Sequence, residues 1–194
     1  MAADDELKWE EVSVKHLIQN KWIDLRQSRY RFPDGTEFEP YYSYSRRDYV
    51  VIVPFDEKGD LICVKQYRHG LKEVTTEFPA GGIERNDGKE YGTKEPGLTE
   101  DAVKAAVREL SEETGYEAGK MEHLITVPSN ATVSDNYAHI FVARDCKKVT
   151  SQDLDDTEFL NVLTISPDEL EELIKSGKFQ QAVHIMAWYM CKNR

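Results

Sequence analysis

The stretch Arg108-Glu109-Leu110-Ser111-Glu112-Glu113-Thr114-Gly115-Tyr116 places three carboxylates within five positions and then meets a glycine. At about 100° per residue, Glu109, Glu112 and Glu113 share one sector of a helix, and Glu113 falls between Ala102 and Ala106. Upstream, Thr99 is a plausible N-cap, and Glu100 and Asp101 occupy the first turn, where the helix dipole favours anions. Ala102, Val103, Ala106, Val107 and Leu110 supply an apolar face, and Gly115 sits where a C′ glycine belongs, so a helix is predicted over Glu100 to Thr114. A carboxylate inside an apolar stripe is costly, because like charges at i, i+4 repel and burial favours the neutral acid. A divalent metal would relieve both problems. An oxygen-only cluster without His or Cys suits a hard ion such as Mg²⁺ or Mn²⁺. The alternative is a solvated acidic face partnered by Arg108 or Lys104. Against it stands Ala80-Gly81-Gly82 upstream, where small residues let the backbone approach a ligand.

Around this helix the chain reads first as strands: Glu11 to Ile18, Trp22 to Arg31, Thr36 to Ser45, Asp48 to Phe55 and Leu61 to Tyr67. Pro33-Asp34-Gly35 and Asp56-Glu57-Lys58-Gly59-Asp60 provide the turn chemistry between them. A short strand over Val74 to Phe78 leads into Pro79-Ala80-Gly81-Gly82, and Glu84 to Gly97 is polar and glycine-punctuated, the signature of an exposed loop. Further strands are expected at Glu122 to Val127, His139 to Ala143 and Leu160 to Ile165, with an acidic loop at Asp153 to Glu158. Ser166-Pro167-Asp168-Glu169 is a capped helix start, and Gln180 to Cys191 is apolar nearly all round, as expected of a buried helix.

Composition narrows the function classes. With 36 acidic against 25 basic residues in 194, the net charge of −11 repels nucleic acid and anionic membrane surfaces. Any phosphate ligand must therefore be held by a local cationic patch or by metal. The longest apolar run, Tyr49 to Phe55, is far short of the roughly 18 residues of a membrane span. The acidic N-terminus does not read as a secretory signal. Cys63, Cys146 and Cys191 are odd in number and far apart, which argues against disulfides and thiolate zinc and fits a reducing cytoplasm.

Arg108 to Tyr116 resembles the C-terminal half of the Nudix box, G-x5-E-x7-R-E-U-x-E-E-x-G-U, and Glu100 lies at the x7 distance. The box glycine corresponds to Gly82, so that seventeen residues replace x5, an insertion of twelve. Val64-Lys65-Gln66-Tyr67-Arg68-His69-Gly70 followed by Thr76-Glu77-Phe78-Pro79-Ala80-Gly81-Gly82 is similar to the pattern of the ADP-ribose pyrophosphatase group, nucleoside diphosphate sugar hydrolases of the Nudix superfamily. Arg46-Arg47-Asp48 resembles that group too. The resemblance implies a Nudix α/β/α sandwich with a mixed sheet. Residues 1–47 would form an N-terminal antiparallel β extension serving dimerisation, and residues 48–194 the hydrolase domain.

Position by position, the resemblance implies that Glu109, Glu112 and Glu113 bind Mg²⁺, with the Ala80 carbonyl completing the shell. Arg108 would orient the glutamates, and Arg68 and Arg47 would grip a diphosphate, with Glu77 and Gly82 lining the pocket. On the residues alone, Arg68 pairing with Glu77 at a strand edge is the competing reading. Adjacent arginines on a strand face opposite sides, so only one of Arg46 and Arg47 could point into a site. The general base would come from the late acidic loop, Glu158 first and Asp156 second, with Glu112 and Arg108 assisting. The implied activity is Mg²⁺-dependent cleavage of a nucleoside diphosphate sugar into a nucleoside monophosphate and a sugar phosphate by a homodimer. A dinucleoside polyphosphate or triphosphate hydrolase, and a non-catalytic nucleotide-sugar sensor, are the rivals. Pro128 to Asn136 departs from the Ser-Pro-Gly-like turn of ADP-ribose enzymes, which leaves base and sugar open.

Overall fold

The computed structural model describes residues 4–20, 22–84 and 100–193. The predicted exposed loop from Glu84 onward, apart from Glu84 itself, and the Thr99 cap lie outside these residues. The described residues fall into two compact units, one of residues 4–47 and 128–136, the other of Asp48–Glu84, Glu100–Val127 and residues 137–193.

In the first unit, β1 (Glu10–Gln19), β2 (Asp24–Arg31) and β3 (Glu37–Ser45) form an antiparallel meander in that order. Its cross-strand face is an aromatic cluster in which Trp9, Tyr30, Phe32 and Phe38 surround Tyr41, at ring separations of 5.4 to 6.4 Å from Tyr41. Tyr41 is therefore a packing residue. Pro128–Asn136 joins this unit through the Tyr44 N–H to the Val133 carbonyl, 2.8 Å, and through Asp135, which accepts from Ser45 Oγ at 2.5 Å and from Arg26 at 3.2 Å. Every described position of β1 is exposed.

The second unit is a sandwich around a mixed sheet of order β11-β5-β4-β10-β8, comprising β4 (Tyr49–Asp56), β5 (Leu61–Arg68), β8 (Tyr116–Glu117), β10 (Tyr137–Lys148) and β11 (Leu160–Ile165). At its margins β6 (Glu73–Glu77) pairs with β5, β7 (Ala80–Gly82) with β4, and β9 (Lys120–Pro128) with β10. β4 and β10 run parallel, Ala138 opposite Tyr49, while β5 and β11 are antiparallel. The buried runs of β4, β5 and β10 are apolar on both faces, as expected of central strands covered on each side. Alternation sends Val51, Val53, Leu61, Cys63, Ile140 and Val142 to one face, where helices α2 (Pro167–Lys175) and α3 (Ala182–Lys192) supply Leu170, Ala187, Trp188 and Cys191. Val50, Ile52, Ile62, Phe141 and Ala143 go to the other, against Ala105, Ala106 and Leu110 of α1 (Ala102–Thr114).

Three local expectations change. The N-cap of α1 is Asp101, whose carboxylate accepts from the Val103 N–H, so Glu100 precedes the helix. The buried face is Ala105, Ala106, Glu109, Leu110, Glu113 and Thr114, while Val103 and Val107 stay exposed. The small alanines allow α1 to lie close to β7, and the carboxylates rather than the valines take the inward sector. α3 buries His184, Ala187, Trp188 and Cys191 and packs Val183, Ile185, Met186 and Met190 partly against the core, but exposes Tyr189, so its cover is incomplete. The C-terminus of α1 meets expectation: Gly115 adopts φ 74°, and a Cβ there would collide with the Thr150 carbonyl.

Candidate active site

The backbone from Thr75 to Gly82 runs along β6, through Phe78 and Pro79, into β7, whose three residues pair with Val51, Val50 and Tyr49 of β4. α1 lies against this strand. The Ala80 N–H donates to Glu113 Oε2 at 3.0 Å, and a Cβ on Gly81 would overlap the Glu109 carboxylate. Glycine at position 81 thus leaves the room that Glu109 occupies. The Gly82 carbonyl accepts from Arg108 at 3.0 Å, placing Gly82 in the same cluster.

Arg108 organises the carboxylates. Its guanidinium donates to Glu100 at 2.7 Å, Glu109 at 2.9 Å and Glu112 at 2.8 Å. Burial works against its charge, but these three anions outweigh it and raise its pKa. Glu109 and Glu113 are not similarly compensated. Desolvation pushes the Glu109 carboxyl up to about 7 against the pull of Arg108, with Glu112 and Glu158 adding repulsion. Glu113, 3% exposed, is raised well above the usual carboxylate range by burial and by the charge of Glu109.

Beside them, Arg68 grips the fully buried Glu77 through Nε, at 2.9 and 3.1 Å, and through Nη2, at 2.5 Å. Thr75 Oγ1 and Gln181 Nε2 also donate to Glu77. Desolvation opposes the Glu77 charge, yet Arg68 and Thr75 hold its pKa below the ordinary value. The strand-edge pairing of Arg68 with Glu77 is therefore present. The Arg68 pKa is raised despite burial, by Glu77 first and then by the fields of Glu113 and Glu158.

The structure thus brings Arg68, Glu77, Ala80, Gly82, Arg108, Glu109 and Glu113 together, and puts Glu158 within electrostatic reach of Arg68, Glu109 and Glu113. Asp156 is exposed in the turn before Glu158. Glu112 accepts from the same Arg108 nitrogen as Glu109, with its side chain 39% exposed. It borders a polar cavity of about 550 Å³ with Arg108, Ser111, Thr150, Ser151, Gln152 and Asp153. Arg47 belongs to the first unit, and Arg46 to Asp48 lie between β3 and β4 rather than on a strand, so the argument from strand alternation does not apply to them. Sequence reasoning passed over Gln152, whose amide donates to the Glu113 carbonyl at 2.7 Å, and Gln181 and His184, which act from more than 100 residues away. No local pattern marks such partners.

Among the described residues no three His, Cys, Asp or Glu side chains are gathered as a ready metal cluster. The donor chemistry nevertheless fits a hard divalent cation. Two buried carboxylates with raised pKa lack a full counter-charge, and Gly81, lacking a Cβ, lets the Glu109 carboxylate lie directly against the β7 backbone.

The site is thus a carboxylate-bearing helix packed on a small-residue strand within an α/β/α sandwich. The NUDIX domain family model matches residues 45–189, and the chain belongs to that family as a Nudix hydrolase. Over 91% of its length it is 30% identical to the methanol dehydrogenase activator of Bacillus methanolicus, covering 88% of that protein. It is 26% identical to the ADP-ribose pyrophosphatase of Bacillus subtilis, across 88% of this chain and 85% of that one. A crystal structure of an ADP compounds hydrolase superposes with a TM-score of 0.79 at 22% identity, over 96% of this chain and 93% of the other, which establishes the fold. Among the described residues no helix is long and apolar enough to cross a membrane.

Proposed function

We propose that the protein is a Mg²⁺-dependent pyrophosphohydrolase that cleaves the diphosphate of a nucleoside diphosphate sugar of the ADP-ribose type into a nucleoside monophosphate and a sugar phosphate. The observation that carries this reading is the pair of buried, under-compensated carboxylates, Glu109 and Glu113, packed on Ala80 and Gly81 within the field of Arg68. The name of the Bacillus subtilis relative supports the substrate class. Glu109, Glu113 and the Ala80 carbonyl would hold the metal, with Glu112 joining them on release from Arg108. Bound there, the ion would polarise the diphosphate and acidify a nearby water; Mn²⁺ would serve in its place.

The chain's own residues do the rest. Arg68, kept charged and oriented by Glu77, presents a fixed guanidinium to the diphosphate oxygens. Arg108 sets the rotamers of Glu109 and Glu112. Glu158 takes the proton of the attacking water, a role favoured over Asp156 by its field at Glu109 and Glu113. Arg47 would grip the diphosphate together with Arg68, reaching it across a homodimer formed through residues 1–47. The fully exposed β1, with Val12, Val14, Leu17 and Ile18 uncovered, supports that assembly. The cytoplasm is the proposed compartment, in keeping with three buried free thiols.

The test is phosphate release, coupled to alkaline phosphatase, from a panel of nucleotide sugars, dinucleotides and triphosphates with Mg²⁺ or Mn²⁺. Turnover of a nucleotide sugar that Glu113→Gln abolishes is the expected result. Preference for a triphosphate or a dinucleoside polyphosphate would move the substrate class, and binding without turnover would make the protein a sensor.

A further inference from the structure

Among the described strands β6 pairs with β5 alone, and its other edge is met by the chain from Lys178 to His184. The Gln180 amide donates to Glu73 at 3.2 Å, and the Thr76 N–H reaches the Lys178 carbonyl at 3.5 Å. Gln181 Nε2 donates to Glu77 Oε1 at 3.3 Å. The Phe78 N–H donates to His184 Nδ1 at 3.1 Å. The outward N–H groups of residues 76 and 78 are thus satisfied by this segment in place of a further strand. Phe78 is also fixed by its ring, which lies parallel to the His184 imidazole at 6.2 Å and edge-on to Phe179 at 5.0 Å.

Two details set this contact apart from ordinary packing. Gln181 stands at the N-cap of α3, where Ser, Thr, Asn or Asp is favoured, and makes no capping hydrogen bond, its side chain being used on Glu77. His184 is 4% exposed and accepts through Nδ1, which fixes its proton on Nε2. The two groups held, the Glu77 carboxylate and the Phe78 amide, are adjacent in sequence. One orients Arg68; the other lies two residues before Ala80, whose own N–H binds Glu113.

We propose that Gln181 and His184 are positioning residues of the hydrolase, a two-pronged clamp from the start of α3 that sets Arg68 through Glu77 and the Ala80–Gly81 backbone through Phe78. The inference rests on the roles given above to Arg68, Ala80 and Glu113. The two prongs act on different parts of the site, so their losses differ. Without the His184 acceptor, the Phe78 N–H is left buried and unpaired, β7 loosens against α1, and the chemical step suffers. Without the Gln181 amide, Glu77 and Arg68 gain freedom, and substrate binding suffers.

The experiment combines amide hydrogen exchange on the full chain with steady-state kinetics in Mg²⁺ on the nucleotide sugar turned over fastest. His184→Asn offers a carbonyl oxygen near the place of Nδ1, and His184→Leu offers no acceptor. In His184→Leu the Phe78 and Ala80 amides should exchange at least about tenfold faster while the buried Val142 amide keeps its rate, and His184→Asn should restore protection. In the same variants kcat falls about tenfold for Leu and recovers for Asn, and Gln181→Ala raises KM about fivefold with kcat within about twofold. Unchanged exchange at Phe78 and Ala80 in His184→Leu, or equal losses in the Asn and Leu variants, would overturn the clamp. Should His184→Leu fail to fold, an unaltered KM in Gln181→Ala overturns it instead. A wild-type protein inert on every substrate refutes the proposed function, and the exchange rates then still decide the clamp.

Discussion

α1 and α2 are both rich in glutamate, and the fold treats their carboxylates in opposite ways. On α2, Glu169 closes a capping box with Ser166 and Glu171 pairs with Lys192, so both sit below the ordinary carboxylate pKa, the first through the Ser166 backbone and the second through the lysine. Glu172 pairs with Lys175 at i, i+3 on the exposed side of the same helix. These acids are where helix physics wants them: at the N-terminus, or beside a cation in water. On α1, Glu109 and Glu113 point at the core, close enough for Glu109 to raise the Glu113 pKa, and are under-compensated in charge. Selection for stability alone would replace such residues with apolar ones. The contrast teaches that the informative feature of this sequence is the placement of its acids rather than their number.

The sharpest way to extend the contrast is to the late loop, where two acids two residues apart are assigned different fates. Glu158→Gln should lower kcat by about 10² to 10⁴, the range for losing a general base, with Asp156→Asn within about twofold of wild type. Initial rates on the preferred nucleotide sugar measure both, and equal losses would erase the distinction drawn from the electrostatics.

Next comes a buried group whose charge the fold also resists. Desolvation lowers the His184 pKa from 6.5 to about 4, with Glu77 opposing. The folded protein therefore binds a proton here less readily than the unfolded chain. Its contribution to stability is complete above the unfolded pKa of about 6.5 and is lost as pH falls toward about 4. Up to about 3 kcal/mol is at stake across that window. Denaturant unfolding at stepped pH should show His184→Asn with a flatter acid limb than wild type; parallel limbs would mean that His184 takes up its proton equally readily in the folded and unfolded states. The smallest effect belongs to α2: Glu172→Gln should change unfolding free energy by less than about 0.5 kcal/mol and leave turnover untouched. A larger loss would show that an exposed acid matters as much as a buried one.

Much of this was legible in the sequence. Ser166-Pro167 at the head of α2, Gly115 at the foot of α1 and the bounds of β11 follow from short-range chemistry that carries its own signal. The carboxylate cluster was readable because its spacing is helical. The inward face of α1 was not, since Val103 and Val107 look apolar but the neighbouring β7 admits only alanines and the two glutamates. β7 itself, three small residues, is too short for periodicity to show. The clamp from Gln181 and His184 joins positions more than 100 residues apart, which no local pattern encodes.

The central claim is that Glu109 and Glu113 are buried because a divalent cation neutralises them. It is tested most directly by thermal unfolding of wild type and Glu113→Gln, each with EDTA and with rising Mg²⁺. The account predicts that wild type gains stability with Mg²⁺, about 2.7 kcal/mol at a hundredfold excess over Kd. Glu113→Gln, which removes a buried acid that the fold penalises, should match or exceed wild type in EDTA and respond little to the metal. A wild type indifferent to Mg²⁺, or a Glu113→Gln that gains as much from it, would contradict the claim.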